Sequence, residues 1–156
     1  MADVYTKAVL VGIIAGMRSM SAPALISDHF SKEPSREFEA SPLRVLTSPT
    51  SAAVLKTLAV GEMLADKTPF VPDRIATPSL AFRAVSGSVC GAAVCTAERE
   101  RAGVGAVIGA AAAAASTFAF YYLRREIGAR SGLPDPILGL TEDALVVAFS
   151  SAVFEK

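Results

Sequence analysis

The sequence predicts an all-α integral membrane bundle, and three observations carry that reading. Hydrophobic residues make up 52% of the 156-residue chain and charged residues only 19%, against about 25% charged in an average soluble protein. Mean hydropathy is +0.45, on the apolar side of the range usual for water-soluble domains. Four or five stretches of the chain approach the ~20 apolar residues a helix needs to cross a bilayer. Basic and acidic residues balance at 15 each, so no net positive charge favours general nucleic-acid binding. The length fits one transmembrane domain covering 1–156.

The first apolar stretch covers about 4–26 and is centred on AVLVGIIAGM. The others cover about 49–65, 78–97, 103–123 and 136–154. Five spans is the reading, with four as the alternative, because the second and fifth are short and must tilt little, thin the bilayer or pack centrally. A cleaved secretory leader is the rival for the first stretch. Lys7, the apolar run that follows it and Ala22-Pro23-Ala24 mimic its three regions, but Arg18 interrupts the run and proline sits inside the cleavage motif.

Three later starts share one mark: Ser48-Pro49, Thr77-Pro78 and Asp135-Pro136. Each sets a capping oxygen, able to accept an orphan backbone N–H, before a proline that has no N–H to lose. The only long polar loop, 28–47, holds Lys32, Glu33, Arg36, Glu37, Glu39 and Arg44, and is expected to carry a short surface helix. The remaining connections are short, which predicts antiparallel neighbours. With five spans, six basic residues fall on each side of the membrane, so the positive-inside rule selects no orientation.

Gly12 and Gly16, Gly87 and Gly91, and Gly105 and Gly109 form three GxxxG pairs in three different stretches. Four-residue spacing puts both glycines on one helix face, where another backbone can approach closely. Two uses follow: tight packing inside one bundle, or a homodimer interface. The run Ala110 to Ala115 extends the small-residue surface. Beyond the lipid bilayer itself, a second copy bound through these glycines is the expected partner.

Charges within apolar stretches are the candidate functional groups, because an ion near the bilayer centre costs several kcal/mol unless paired or hydrated. Arg18 lies in GMRSMSAP, more than halfway along the first stretch. Pro23 lacks an N–H and its ring opposes the carbonyl of Ser19, so the helix should bend or unwind there, with Ser19 and Ser21 satisfying released groups. An arginine beside such a polar interruption resembles the broken helices of transporter sites. Its bland counterpart is an interfacial arginine holding a lipid phosphate or a neighbouring carboxylate. Glu62 and Asp66 are four apart in GEMLADKTP and share a helix face, with Lys67 following. Glu142 and Asp143 stand about two turns into the last stretch, and Arg83 about one turn into the third.

This set supports three uses. It can fix helix register as salt bridges, relay protons or bind a solute through carboxylates of shifted acidity, or hold a hard divalent cation such as magnesium through Glu62, Asp66, Glu142 and Asp143. The third use would make a metal-dependent enzyme acting on a lipid phosphate, with Arg74 or Arg18 on the phosphate. No dedicated cofactor is expected otherwise. His29, Cys90 and Cys95 read as surface or packing residues, and Ser116-Thr117 as hydroxyls bonded to their own helix. No GxSxG, HExxH, Walker A or dinucleotide-binding pattern is present.

At GMRSMSAP, GEMLADKTPFVPDR, the Gly/Ala-rich helix ending in YYLRR, and LPDPILGLTEDAL, the chain resembles a bacterial membrane family known as domain of unknown function 4126. The resemblance covers most of the chain, and the GE-x3-ADK-x-P element is its most specific part. Arg18, Glu62, Asp66, Lys67, Pro69, Arg74, Glu142 and Asp143 coincide with its motif positions. It implies a small multi-spanning protein, expected in a bacterial cytoplasmic membrane, and transfers no activity.

With five spans, the first two helices and the last two would run in opposite senses, each pair joining a glycine-rich helix to one with two carboxylates. That predicts an inverted repeat with a site at its interface. The leading functional expectation is a transporter or channel for a small solute or ion, using Arg18, Ser19, Glu62, Asp66, Lys67, Arg74, Arg83, Glu142 and Asp143. A lipid-phosphate enzyme and a non-catalytic scaffold are the alternatives.

Overall fold

Local chemistry sets most helix ends. In the computed structural model, residues 3–65, 75–131 and 135–154 are described. They form seven α-helices: α1 (Val4–Met17), α2 (Ser21–Lys32), α3 (Arg36–Glu39), α4 (Pro49–Ala65), α5 (Thr77–Ala97), α6 (Ala102–Ser131) and α7 (Asp135–Phe154). A 3-10 turn at Pro42–Thr47 precedes α4. Asp3 caps α1 by accepting the Tyr5 N–H at 3.3 Å, and Ser35 and Ser41 do the same for α3 and the 3-10 turn. Helix α4 begins at Pro49 as its Ser-Pro start predicts. Thr77 is not the cap expected of it. It is the first residue of α5, preceded by Ala76, and no side chain caps that end.

The largest departure concerns the first apolar stretch. It is not one helix over 4–26 but two, because α1 ends at Met17 and Arg18 adopts an extended conformation, φ −142° and ψ 107°. Ala22 and Pro23 then sit in the first turn of α2, where proline's missing N–H costs nothing. Helix α2 turns back alongside the bundle instead of continuing, and runs on to Lys32 through the first residues of the expected polar loop.

Side-chain pairs fix the sense of every long helix. Lys7 bonds Glu98 at 2.5 Å while Arg83 reaches Gly16 and Met17, so α1 and α5 are antiparallel. Glu62 meets Ser19 and Met20 while Lys56 meets Asp28, so α4 runs antiparallel to α2. Asp143, near the middle of α7, meets Arg18, and Phe154 at its C-terminal end stacks on His29. The chain therefore runs up through α1, down α2, up α4, down α5, up α6 and down α7. This replaces the alternation expected from five spans and returns the C-terminal end of α7 to the end of the bundle that holds the N-terminus.

The inverted repeat expected between the first two and last two spans does not fit this path. Gly12 faces Gly109, while the Ser116 and Thr117 hydroxyls donate to the carbonyls of Ile13 and Gly16, so α1 and α6 run in the same direction. An inverted pair would oppose them.

The core is the triplet α1, α5 and α6. All six GxxxG glycines are buried in it. A Cβ on Gly109 would overlap the carbonyl of Gly87, one on Gly12 would stand 2.6 Å from the carbonyl oxygen of Gly109, and one on Gly91 would overlap Gly105. Gly109 is thus the point where three backbones meet. The glycine faces expected to join two copies are filled within one chain, because the helices that bear them are each other's neighbours. A homodimer through them would require opening the bundle.

Helices α5, α6 and α7 are long and apolar enough to cross a membrane. Val85, Val107, Tyr122, Leu140 and Val147 on these helices are more than half exposed, as side chains facing lipid are. Helix α1, with 14 residues, is shorter than a bilayer's apolar core, yet Ala8, Val11, Ile14, Ala15 and Met17 are fully buried. The chain is a helical membrane protein whose most central helix stops partway.

Candidate functional site

A helix end inside a bundle leaves backbone groups without intrahelical partners, and burial without replacements is costly. At the α1–α2 break, charged side chains from other helices supply them. Arg83, one and a half turns into α5, donates from Nη1 to the carbonyls of Gly16 at 2.7 Å and Met17 at 2.9 Å. A cation at a helix C-terminus also complements the macrodipole. Glu62, near the end of α4, does the converse. Its Oε1 accepts the Ser19 N–H at 2.9 Å and hydroxyl at 2.7 Å, and its Oε2 accepts the Met20 N–H at 2.8 Å. A carboxylate thus occupies the start of α2, the end that favours negative charge. The two capping groups approach each other at 3.8 Å.

Hydroxyls complete the seal. Ser86 donates to the Ser19 carbonyl at 2.5 Å, the group that Pro23 prevents from bonding within the helix. Ser116 and Thr117 bond back to Ala113 as expected of hydroxyls in apolar helices, and also reach Ile13 and Gly16. The Ser21 hydroxyl is buried with no hydrogen-bond partner among the described residues.

Arg18 is fully buried at the break itself. Its Nε and Nη2 lie 2.9 and 2.8 Å from Asp143 Oδ1 on α7. Arg124 of α6 stands 3.6 Å from the neighbouring Glu142. The two guanidiniums flank Gly139, where a Cβ would lie 3.8 Å from Arg124 and 4.0 Å from Arg18. Counting Arg18, Arg83 and Arg124 against Glu62, Glu142 and Asp143, the described network contains three charges of each sign.

The structure therefore brings Arg18, Ser19, Glu62, Arg83, Glu142 and Asp143 together around the α1–α2 break. Asp66, Lys67, Pro69 and Arg74 lie outside the described residues. Among the described residues, no three of His, Cys, Asp and Glu are grouped closely enough to hold a metal ion. Glu62, Glu142 and Asp143 are each turned to their own nitrogen donors. Ser86 and Arg124 were not singled out as site residues from the sequence. Arg124 carried a signal, since it sits beyond a Tyr-Tyr-Leu belt on a glycine-rich helix. Ser86 carried none, as one serine among many in apolar helices.

The opposite end of the bundle is also ionic but lies at the surface. Asp28 bonds Lys56 at 2.5 Å and Lys32 at 2.9 Å, and these two hydrogen bonds hold its carboxyl below the usual carboxylate range. Glu37 is held low by a backbone hydrogen bond and then by Arg99.

A bundle of apolar helices around one discontinuous helix with an internal ion network defines a polytopic membrane protein with a buried polar site. Residues 7–155 match the family model described as Domain of unknown function (DUF4126), and the chain belongs to that family. No curated protein and no solved structure shows significant similarity to it.

Proposed function

We propose that this protein is a small transporter or channel in which a solute or ion acts at the α1–α2 break. One observation carries the reading: a helix ends deep in the bundle, and its two exposed backbone ends are held by a removable carboxylate and guanidinium. Irregular backbone at membrane depth occurs where it is buried in protein or lines a cavity, and discontinuous helices commonly build transport sites. Glu62 is the pivot. Capture of its carboxylate by a cation would compete for the acceptors that fix Ser19 and Met20 and free the start of α2. The unpartnered Ser21 hydroxyl adds hydrogen-bonding capacity that the resting structure does not use. Arg18 and Asp143 would shift their pairing as α7 follows.

The test is flux through the purified protein in liposomes, across a panel of protons, monovalent ions and small anions, repeated with Glu62→Gln. Gln keeps one carbonyl acceptor but no charge, so helical content should persist while flux is lost. Unchanged flux in a folded variant removes Glu62 from the mechanism.

A scaffold reading is favoured by a different observation, that Glu62, Glu142 and Asp143 each lie against a guanidinium from another helix or from the α1–α2 break. Under it, Glu62→Gln lowers thermal stability and no member of the panel is moved by the parent protein.

A further inference from the structure

Helices α4 and α7 do not close against each other over α2. The gap between them is a cavity of about 410 Å³, within the size range of ligand pockets. Its walls are Ala24, Leu25, Ala59, Val60, Val146 and Val147, and Val60 and Val147 are also among the side chains most exposed on the apolar surface. The gap is therefore open sideways, towards lipid. Its inner end is marked by Ser21 at the helix break, and its outer end by Asp28, Lys56 and Ser150.

There it joins a second cavity of about 290 Å³, lined by Leu25, Asp28, Lys32, Glu33, Ser150 and Phe154 among others. Leu25, Asp28 and Ser150 belong to both. An apolar channel beside lipid thus runs into a charged chamber at the end of the bundle, the shape and polarity of an amphiphile. The charges narrow its class. Lys32 and Lys56 each give one hydrogen bond to Asp28, and each ammonium has three donors, so both retain donors for an anion. Glu33 makes no ion pair among the described residues, leaving one carboxylate for a cation. The stacked rings of His29 and Phe154 lie 3.7 Å apart in the same chamber and offer a face to an ammonium.

We propose that this groove holds one zwitterionic, amine-bearing phospholipid, its acyl chain between α4 and α7, its phosphate on Lys32 and Lys56, and its ammonium on Glu33. A chain seated there closes the flank of the α1–α2 break against the bilayer. The assignment stands apart from the transport reading, since it uses neither Glu62 nor Arg18.

Native mass spectrometry of the full chain in detergent tests it, with phosphatidylethanolamine, phosphatidylglycerol and diacylglycerol of one chain length as probes. One phosphatidylethanolamine should be retained about tenfold more tightly than either other lipid, a difference of about 1.4 kcal/mol. Glu33→Gln should bring it to the level of phosphatidylglycerol, and Lys56→Gln should weaken both phospholipids towards the level of diacylglycerol. Val147→Phe, a change at a side chain 66% exposed and therefore tolerated by the core, should abolish retention by filling the channel. Equal binding of the three lipids, or full retention in Val147→Phe, overturns the site.

Discussion

The two ends of the bundle are both tied by ion pairs, and they use the same chemistry for different work. At the N-terminal end, Lys7–Glu98, Arg99–Glu37 and Asp28 with its two lysines join exposed helix ends and loops. Most of those side chains keep much of their water, so each pair adds little to stability. At the α1–α2 break, Arg18, Arg83, Glu62 and Glu142 are largely withdrawn from solvent, and they meet backbone groups and opposed charges from other helices. A buried pair is costly to assemble but far costlier to halve, because the remaining member is stranded. Surface ion pairs here tolerate loss, whereas the buried ones define where a helix stops.

The sharpest way to break that contrast is Arg83→Met. It removes the donor from the Gly16 and Met17 carbonyls and leaves Glu62 without its nearby cation. We expect a loss of about 3–5 kcal/mol in unfolding free energy, the cost of breaking a buried ionic contact, read by denaturation in detergent. A loss below about 1 kcal/mol, the value of an exposed pair, would place Arg83 with the surface set. Arg83 and Glu62 act mainly on backbone groups at separate helix ends, so a double-mutant cycle should show coupling smaller than either single effect.

Packing gives the next largest effect and extends the comparison to an uncharged part of the far half. Gly109→Ala puts a methyl group into the carbonyl of Gly87 and must push α5 from α6. Overpacking of this kind costs about 1–3 kcal/mol. Gly103→Ala is the control, because nothing lies within 4 Å of a Cβ there, and a methyl group in an open helical position should stabilise by a few tenths to about 1 kcal/mol. Equal effects at the two glycines would remove the close approach from the account.

Much of this contrast was legible in the sequence, and what was hidden has a physical cause. Arg18 and Glu62 stand out because charge inside an apolar run is expensive, and Pro23 announced that the Ser19 carbonyl would be freed. The start of α4 follows from its Ser-Pro boundary. What the local pattern could not show was reversal. A helix that bends at Ser19 and one that ends and returns have the same composition, and the choice depends on Glu62 and Arg83 arriving from α4 and α5. The five-span path failed for that reason, and the inverted repeat failed with it. The glycine pairs were visible as close-approach surfaces, but only the parallel placement of α1 against α6 shows that they meet each other. Helix α6 continues to Ser131, past the expected end near Leu123, because Arg124, Glu126 and Arg130 are good helix formers once outside the apolar zone. Hydropathy reports where lipid ends, not where a helix does.

The smallest expected effects belong to the N-terminal end, where they test whether it is as tolerant as its exposure implies. Lys7→Gln removes the bond to Glu98 and should cost at most about 1 kcal/mol, with the loss shrinking further in high salt. Asp28 adds a pH signature. Its folded carboxyl titrates below its ordinary range, through the hydrogen bonds of Lys56 and then Lys32, so the unfolded chain binds its proton first as pH falls. Its contribution is therefore complete above the ordinary carboxylate range and is lost as acid protonates the folded form. Thermal melts of the parent and Asp28→Asn should differ at neutral pH and converge in acid. Because Asn keeps the shape of Asp but not its charge, a gap that persists in acid would mean that Asp28 acts through hydrogen bonding that the amide does not reproduce, and not through its charge. The neutral-pH gap should also remain smaller than that of Arg83→Met, since Lys32 and Lys56 are exposed when Asp28 is neutralised, whereas Gly16 and Met17 are buried.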